Sequence, residues 1–66
     1  MKVFINDEER TFSNNNLMLI DVLNEIKVKP TALIAELDGK IIMGDEFKNA
    51  KVKEGSRIEL IRIVGG

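Results

Sequence analysis

The alternation of apolar and polar residues at the start of the chain predicts a β-hairpin. Residues 2–5 alternate, with Val3 and Ile5 on one face, which is the pattern of a half-buried strand. The polar residues 6–9 favour a turn. Residues 10–12 then form a short predicted return strand.

The next segment has the spacing of an amphipathic helix. Its apolar stripe consists of Leu19, Ile20, Leu23 and Ile26. Asparagines at positions 14–16 favour an N-cap, because the Asn side-chain oxygen accepts from an unpaired backbone N–H. Pro30 cannot continue a helix. We therefore predict a helix over about residues 17–27.

A second hairpin follows this helix. Residues 32–37 are apolar enough for a strand, and residues 40–43 provide the return strand. Between them, Asp38-Gly39 favours a two-residue type I′ turn, because that turn needs a positive φ at both central positions.

The last third of the sequence completes the predicted sheet. Residues 44–51 form a loop or short helical turn that places Phe47 over the core, and residues 57–64 form the longest predicted strand. The order ββ-α-ββ-β predicts an α+β fold, in which one helix covers one face of a mixed sheet. We expect a domain over residues 1–64 and a flexible diglycine tail at residues 65–66.

Composition excludes several kinds of chemistry. The 66 residues include no Cys and no His, which excludes a disulfide framework, a thiolate zinc site, a cysteine nucleophile and a histidine base. The acidic run at residues 7–9 is best interpreted as a solvated turn, so we expect no metal and no cofactor. Reactive chemistry is left to carboxylates, amines, hydroxyls, the backbone or a chain terminus.

Charge and hydropathy also limit the partners. A formal net charge of -1 argues against nucleic-acid binding. No apolar run approaches the roughly 20 residues that span a bilayer. The first residues lack the pattern of a signal peptide, so we expect a cytoplasmic protein without membrane contact.

Two consecutive glycines, Gly65 and Gly66, end the sequence directly after the last predicted strand. They form either an inert, frayed end or an arm that presents a reactive carboxylate. Without Cβ atoms, such an arm could enter a narrow slot in a partner enzyme. Its ionised carboxylate could attack the α-phosphorus of ATP and become an acyl-adenylate.

The last predicted strand carries more apolar residues than one face can hold. If Ile58, Leu60 and Val64 face the core, then Ile61 and Ile63 face outward, and if Ile61 and Ile63 face the core, the other three residues face outward. Either both faces of the sheet are covered, or the outward residues form a docking patch. We expect the helix on one face and a partner on the other.

Three segments of the sequence, and the order in which they occur, resemble the ThiS family, the small ubiquitin-like sulfur carriers of thiamine biosynthesis. They are DVLNEI at 21–26, ELDGKII at 36–42 and EGSRIELIRIVGG at 54–66. The resemblance covers essentially the whole chain and implies a β-grasp fold with four to five strands, in which the first and last strands are parallel and central. The first turn reads NDEE where the family often has Asn-Gly, and the arginine and tryptophan that often follow the fourth strand are missing.

The resemblance also implies the chemistry. An E1-like adenylyltransferase would adenylate the Gly66 carboxylate, and a sulfur-donating persulfide protein would supply the sulfur of a thiocarboxylate. Thiazole synthase would then take that sulfur. Gly65 would act as spacer, and Ile61, Ile63 and Val64 would contact the partners. The chain itself would be a carrier and not an enzyme.

Three alternatives share parts of this pattern. The small sulfur-carrying subunit of molybdopterin synthase has the same fold, diglycine end and thiocarboxylate. A ubiquitin-like protein modifier would use the glycine end to form an isopeptide bond. A plain interaction domain would carry an inert tail.

Overall fold

A computed structural model describes residues 1–63 of the chain. In this range the backbone forms seven strands, one α-helix and one 3₁₀ helix. Their bounds are β1 Lys2–Ile5, β2 Glu8–Thr11, β3 Leu17–Met18, α1 Leu19–Glu25, β4 Leu33–Leu37, β5 Lys40–Met43, the 3₁₀ helix Gly44–Lys48, β6 Lys51–Val52 and β7 Arg57–Arg62.

Five of the strands form one mixed sheet in the order β2-β1-β7-β4-β5. The first and last strands, β1 and β7, are adjacent and parallel, and the other neighbours are antiparallel. The predicted α+β fold, with one helix packed on a mixed sheet and its terminal strands side by side at the centre, is confirmed.

Both hairpins of this sheet turn through two residues with positive φ. The φ angles are 49° and 68° at Asn6 and Asp7, and 50° and 86° at Asp38 and Gly39. The second turn confirms the prediction. The first uses Asn and Asp, which tolerate the left-handed region better than other non-glycine residues. Because this turn needs only two residues, the return strand is Glu8–Thr11, and its predicted placement at residues 10–12 was wrong.

The helix is shorter than predicted at both ends. Residues 17 and 18 belong to β3, which pairs with β6 through Leu17 opposite Val52. At the other end, Lys27 takes φ 60°, and the Val28 N–H donates to the Leu23 carbonyl at 2.9 Å. This left-handed closure satisfies a terminal carbonyl and stops the helix before the proline.

The predicted asparagine N-cap was also wrong. The helix begins after Met18, whose backbone N–H donates to Asp21 Oδ2 at 2.9 Å. Asn14 instead closes a local turn, in which its Oδ1 accepts from the Asn16 N–H at 2.8 Å. Pairing of residues 17 and 18 with β6 moves the helix start beyond the reach of the asparagines.

The core lies between α1, the 3₁₀ helix and one face of the five-stranded sheet. Its buried apolar residues are Val3, Ile5, Leu17, Leu19, Val22, Leu23, Leu33, Ala35, Leu37, Ile42, Phe47, Val52 and Ile58. Phe47 projects from the 3₁₀ helix with 2% of its surface exposed, as the sequence predicted. The opposite face of the sheet is not covered by α1, and we call it the open face.

Replacement of the core aromatic tests this packing. Phe47→Ala should cost about 3–5 kcal/mol, because it removes a large buried side chain and leaves a cavity. A domain of this length has a total stability of about 3–10 kcal/mol, so much of the variant should be unfolded. Urea titration followed by circular dichroism measures the loss. Met43→Ala, at an exposed position, is the control; equal stability of the two variants would contradict the assigned core.

Candidate functional site

The open face carries a concentrated set of exposed apolar side chains. Within residues 1–63, the large apolar residues that are more than half exposed are Ile41, Met43, Ile61 and Ile63, at 51% to 60%. Together with the half-buried Ile34 they form what we call the apolar patch. Single exposed apolar residues are ordinary, whereas a contiguous group on one face is typical of a binding surface.

Strand register brings the patch together. Ile34 on β4 lies directly opposite Met43 on β5 and Ile61 on β7, so the three side chains form a row on one face. The Ile63 N–H donates to the Ala32 carbonyl at 2.8 Å, which extends the same register beyond β7. Ile61 and Ile63 therefore project from the same face of the sheet.

The two faces of β7 have different environments. Ile58 is 1% exposed and Leu60 is half-buried on the side of the core, while Ile61 and Ile63 project from the open face. This is one of the two arrangements that the sequence allowed. Of the predicted docking residues, the structure places these two isoleucines in one patch.

Val64, Gly65 and Gly66 complete the predicted site and lie outside the described residues. The contact role of Val64, the spacer role of Gly65 and the reactive role of Gly66 therefore stay predictions. What the structure does give is the position of Ile63, the residue immediately before them, at the edge of the apolar patch.

Two turn side chains hold β7 in the sheet. The Leu60 N–H donates to Asn6 Oδ1 at 2.8 Å, beyond the last β1–β7 pair, Ile5 and Ile58. The Arg57 N–H donates to Asp38 Oδ1, also at 2.8 Å. Each contact satisfies a backbone donor, so side chains from both hairpin turns extend the pairing of β7 beyond the strands themselves.

Hydrogen bonds from Arg62 stabilise the C-terminal end of β7. Its guanidinium donates to the Thr31 carbonyl at 3.0 Å and to the Lys29 carbonyl at 3.4 Å. Those carbonyls belong to the loop between α1 and β4. The contacts fix the end of the strand and leave the neighbouring isoleucines at positions 61 and 63 exposed on the open face.

Sequence reasoning missed two groups of residues in this site. It did not assign Ile34, Ile41 and Met43 to the surface that contains Ile61 and Ile63. It also missed the three side chains that hold β7, namely Asn6, Asp38 and Arg62.

A metal site of clustered side chains and a membrane-spanning helix are both absent from residues 1–63. No group of three or more acidic, His or Cys side chains lies close enough together to hold a metal ion. No helix in the same range is long and apolar enough to cross a membrane.

The mixed sheet with its central parallel pair and single packed helix defines a ubiquitin-like β-grasp domain. The model of the ThiS family matches residues 3–66, and the chain belongs to that family. Membership supports a sulfur-carrier role in thiamine biosynthesis.

Solved structures agree with this assignment. The crystal structure of the thiamine biosynthesis protein ThiS from Geobacter metallireducens superposes with a TM-score of 0.86 at 25% identity, covering 100% of this chain and 99% of that one. The NMR solution structure of a thiamine biosynthesis protein from the same organism gives 0.78 at 25% identity, covering 100% and 87%. No curated protein matched the sequence.

The side-chain hydrogen bonds of Asn6, Asp38 and Arg62 that hold β7 in place, which we call the clamp, can be tested at Asn6. Glycine accommodates the φ of 49° at this position, so Asn6→Gly keeps the turn and removes the acceptor for the Leu60 N–H. We expect a loss of about 1 kcal/mol and faster hydrogen exchange at the Leu60 amide. Asn15→Gly, in an exposed loop, controls for the flexibility of glycine. Unchanged exchange at Leu60 would contradict the clamp.

Proposed function

We propose that the chain carries sulfur as a thiocarboxylate on Gly66 and donates it to thiazole synthase. The observation that carries the proposal is the ThiS family match over residues 3–66, which includes the diglycine end. The apolar patch supports it, because Ile63 brings this exposed apolar surface to within three residues of Gly66 in the sequence.

The proposed reaction begins at the carboxylate. One carboxylate oxygen of Gly66 attacks the α-phosphorus of ATP, the bond to pyrophosphate breaks, and an acyl-adenylate forms. A carboxylate is a poor electrophile, and adenylation supplies the leaving group that it lacks. The enzyme for this step is an E1-like adenylyltransferase.

The second step exchanges oxygen for sulfur. The terminal sulfur of a persulfide protein attacks the acyl carbon, and AMP leaves with the electron pair of the broken C–O bond. A thiol then cleaves the remaining S–S bond and is oxidised to a disulfide, which leaves the thiocarboxylate on the carrier. Thiazole synthase receives the sulfur from this group. The chain acts as a protein co-substrate, and its partners carry out the catalysis.

Glycine at the last two positions suits this role. Without a Cβ, Gly65 and Gly66 can enter a narrow slot in which another residue would collide with the enzyme. We assign residues 1–64 to the domain that partners recognise and residues 65–66 to the arm that enters their active sites.

The apolar patch is the docking surface in this proposal. Full burial of an isoleucine side chain contributes about 1.5–3 kcal/mol, so covering Ile61 and Ile63 can supply much of the energy of a transient complex. Val64 continues the contact toward the arm. Docking through the sheet leaves the hydrophobic core undisturbed while the arm is extended.

Exchange of oxygen for sulfur tests the proposal directly. Incubation with the adenylyltransferase, ATP, a persulfide donor and a thiol should raise the intact mass by the difference between one sulfur and one oxygen. Gly66→Val should abolish the change, because the added side chain blocks the slot, whereas Asn15→Val should behave like the wild type. An unchanged wild-type mass, or full activity of Gly66→Val, would contradict the assignment.

Docking through the patch is tested separately at Ile61. Ile61→Ser should raise the KM for the carrier about tenfold in the adenylation assay and leave kcat nearly unchanged, because it removes binding surface without touching the reacting group. Its thermal stability should stay close to that of the wild type, since the side chain is 57% exposed. Asn15→Ser, at an exposed loop position outside the patch, is the control and should leave KM unchanged. An equal KM for Ile61→Ser and wild type would exclude this surface.

A further inference from the structure

Two carboxylates face each other on the open face. Glu36 on β4 lies directly opposite Glu59 on β7, and both side chains are exposed. Like charges at directly opposed positions of an antiparallel pair are destabilising. The register therefore places two like charges at neighbouring positions near the centre of the sheet.

Neither carboxylate forms an ion pair within the described residues. The ion pairs in residues 1–63 are Lys2 with Glu9 and Arg10 with Glu8, on the β1–β2 hairpin. Arg57 projects from the same face two residues before Glu59, but its guanidinium lies 4.8 Å from the centre of the Phe4 ring.

The acidic pair borders the apolar patch. Glu36 is flanked in register by Ile41 on β5 and by Glu59 on β7. The next row on the same face is apolar and contains Ile61 two residues beyond Glu59. An apolar surface with charged groups at its border has the usual anatomy of a protein–protein interface.

We propose that the open face recognises a protein surface that places apolar side chains on the apolar patch and an arginine between Glu36 and Glu59. A guanidinium has donors on several edges and can serve two carboxylates at once, which relieves their repulsion on binding. The inference rests on the proposed function, in which the adenylyltransferase docks here, and it adds the chemistry that this enzyme must present.

A second copy of the chain fits this surface less well. A two-fold symmetric dimer places the same patch on both sides of the interface. It would bring two acidic pairs, four carboxylates in all, into one contact region. The strand cations of the open face in the described residues are already engaged, Lys2 by Glu9 at 3.9 Å and Arg57 by the Phe4 ring. Charge complementarity therefore favours a different, cationic partner.

The double variant Glu36→Gln/Glu59→Gln separates binding from folding. Its thermal stability should equal or exceed that of the wild type, because the repulsion is gone. The KM for the carrier in ATP–pyrophosphate exchange with the purified adenylyltransferase should rise roughly three- to tenfold at low salt, with kcat unchanged. The difference should shrink as salt is added, since ionic strength screens exposed charges. Glu25→Gln on α1, outside the open face, should leave KM unchanged.

The outcomes distinguish this inference from the proposed function. Wild-type turnover with an unchanged KM in the double variant overturns only the inference. Absence of wild-type turnover overturns the proposed function, and the Kd of each protein for the same enzyme then decides the inference. The inference would be overturned by equal Kd values for the two proteins or by the absence of wild-type binding. Sedimentation that showed wild-type dimers formed through the open face would also overturn the inference.

Discussion

The parallel pairing of β1 with β7 is the constraint from which the other features follow. It places the last strand at the centre of the sheet, between β1 and β4. One short helix can cover only one face of five strands, so β7 buries Ile58 and presents Ile61 on the open face. The strand that leads to the diglycine end thereby also contributes Ile61 to the apolar patch.

Much of the fold was predictable because the turn residues and the apolar pattern of each segment agree with the place of that segment in the sheet. Asp38-Gly39 gives the second hairpin, and the excess of apolar residues in the last strand predicts that one of its faces needs a partner. The helix ends were not predictable from local pattern, since pairing of β3 with β6 is a contact between distant segments that overrides local propensity. Likewise, Asn6 and Arg62 act on backbone groups far away in sequence, and only the tertiary structure reveals those contacts.

The apolar patch was also predictable only in part: some of its residues follow from local sequence, and others from tertiary contacts. Ile61 and Ile63 were recognisable because a single strand cannot bury both sets of alternating apolar residues. Met43 joins them because the two-residue turn sets the β4–β5 register, and Ile34 joins because β4 also pairs with β7. A small domain with no Cys and no His can in this way separate recognition from reaction. The sheet supplies the proposed recognition surface, and the proposed reactive group is a terminal carboxylate.

Transfer of the carried sulfur tests the central claim most directly. The carrier would be loaded with radiolabelled sulfur, separated from the donor and incubated with thiazole synthase and its small-molecule substrates. The account predicts that the label leaves the protein and appears in the thiazole product, and that a Gly66→Val carrier delivers none. The account would be contradicted if the label never loaded onto the carrier or stayed on it. Transfer that required a large molybdopterin synthase subunit would also contradict it, as would isopeptide adducts on other proteins.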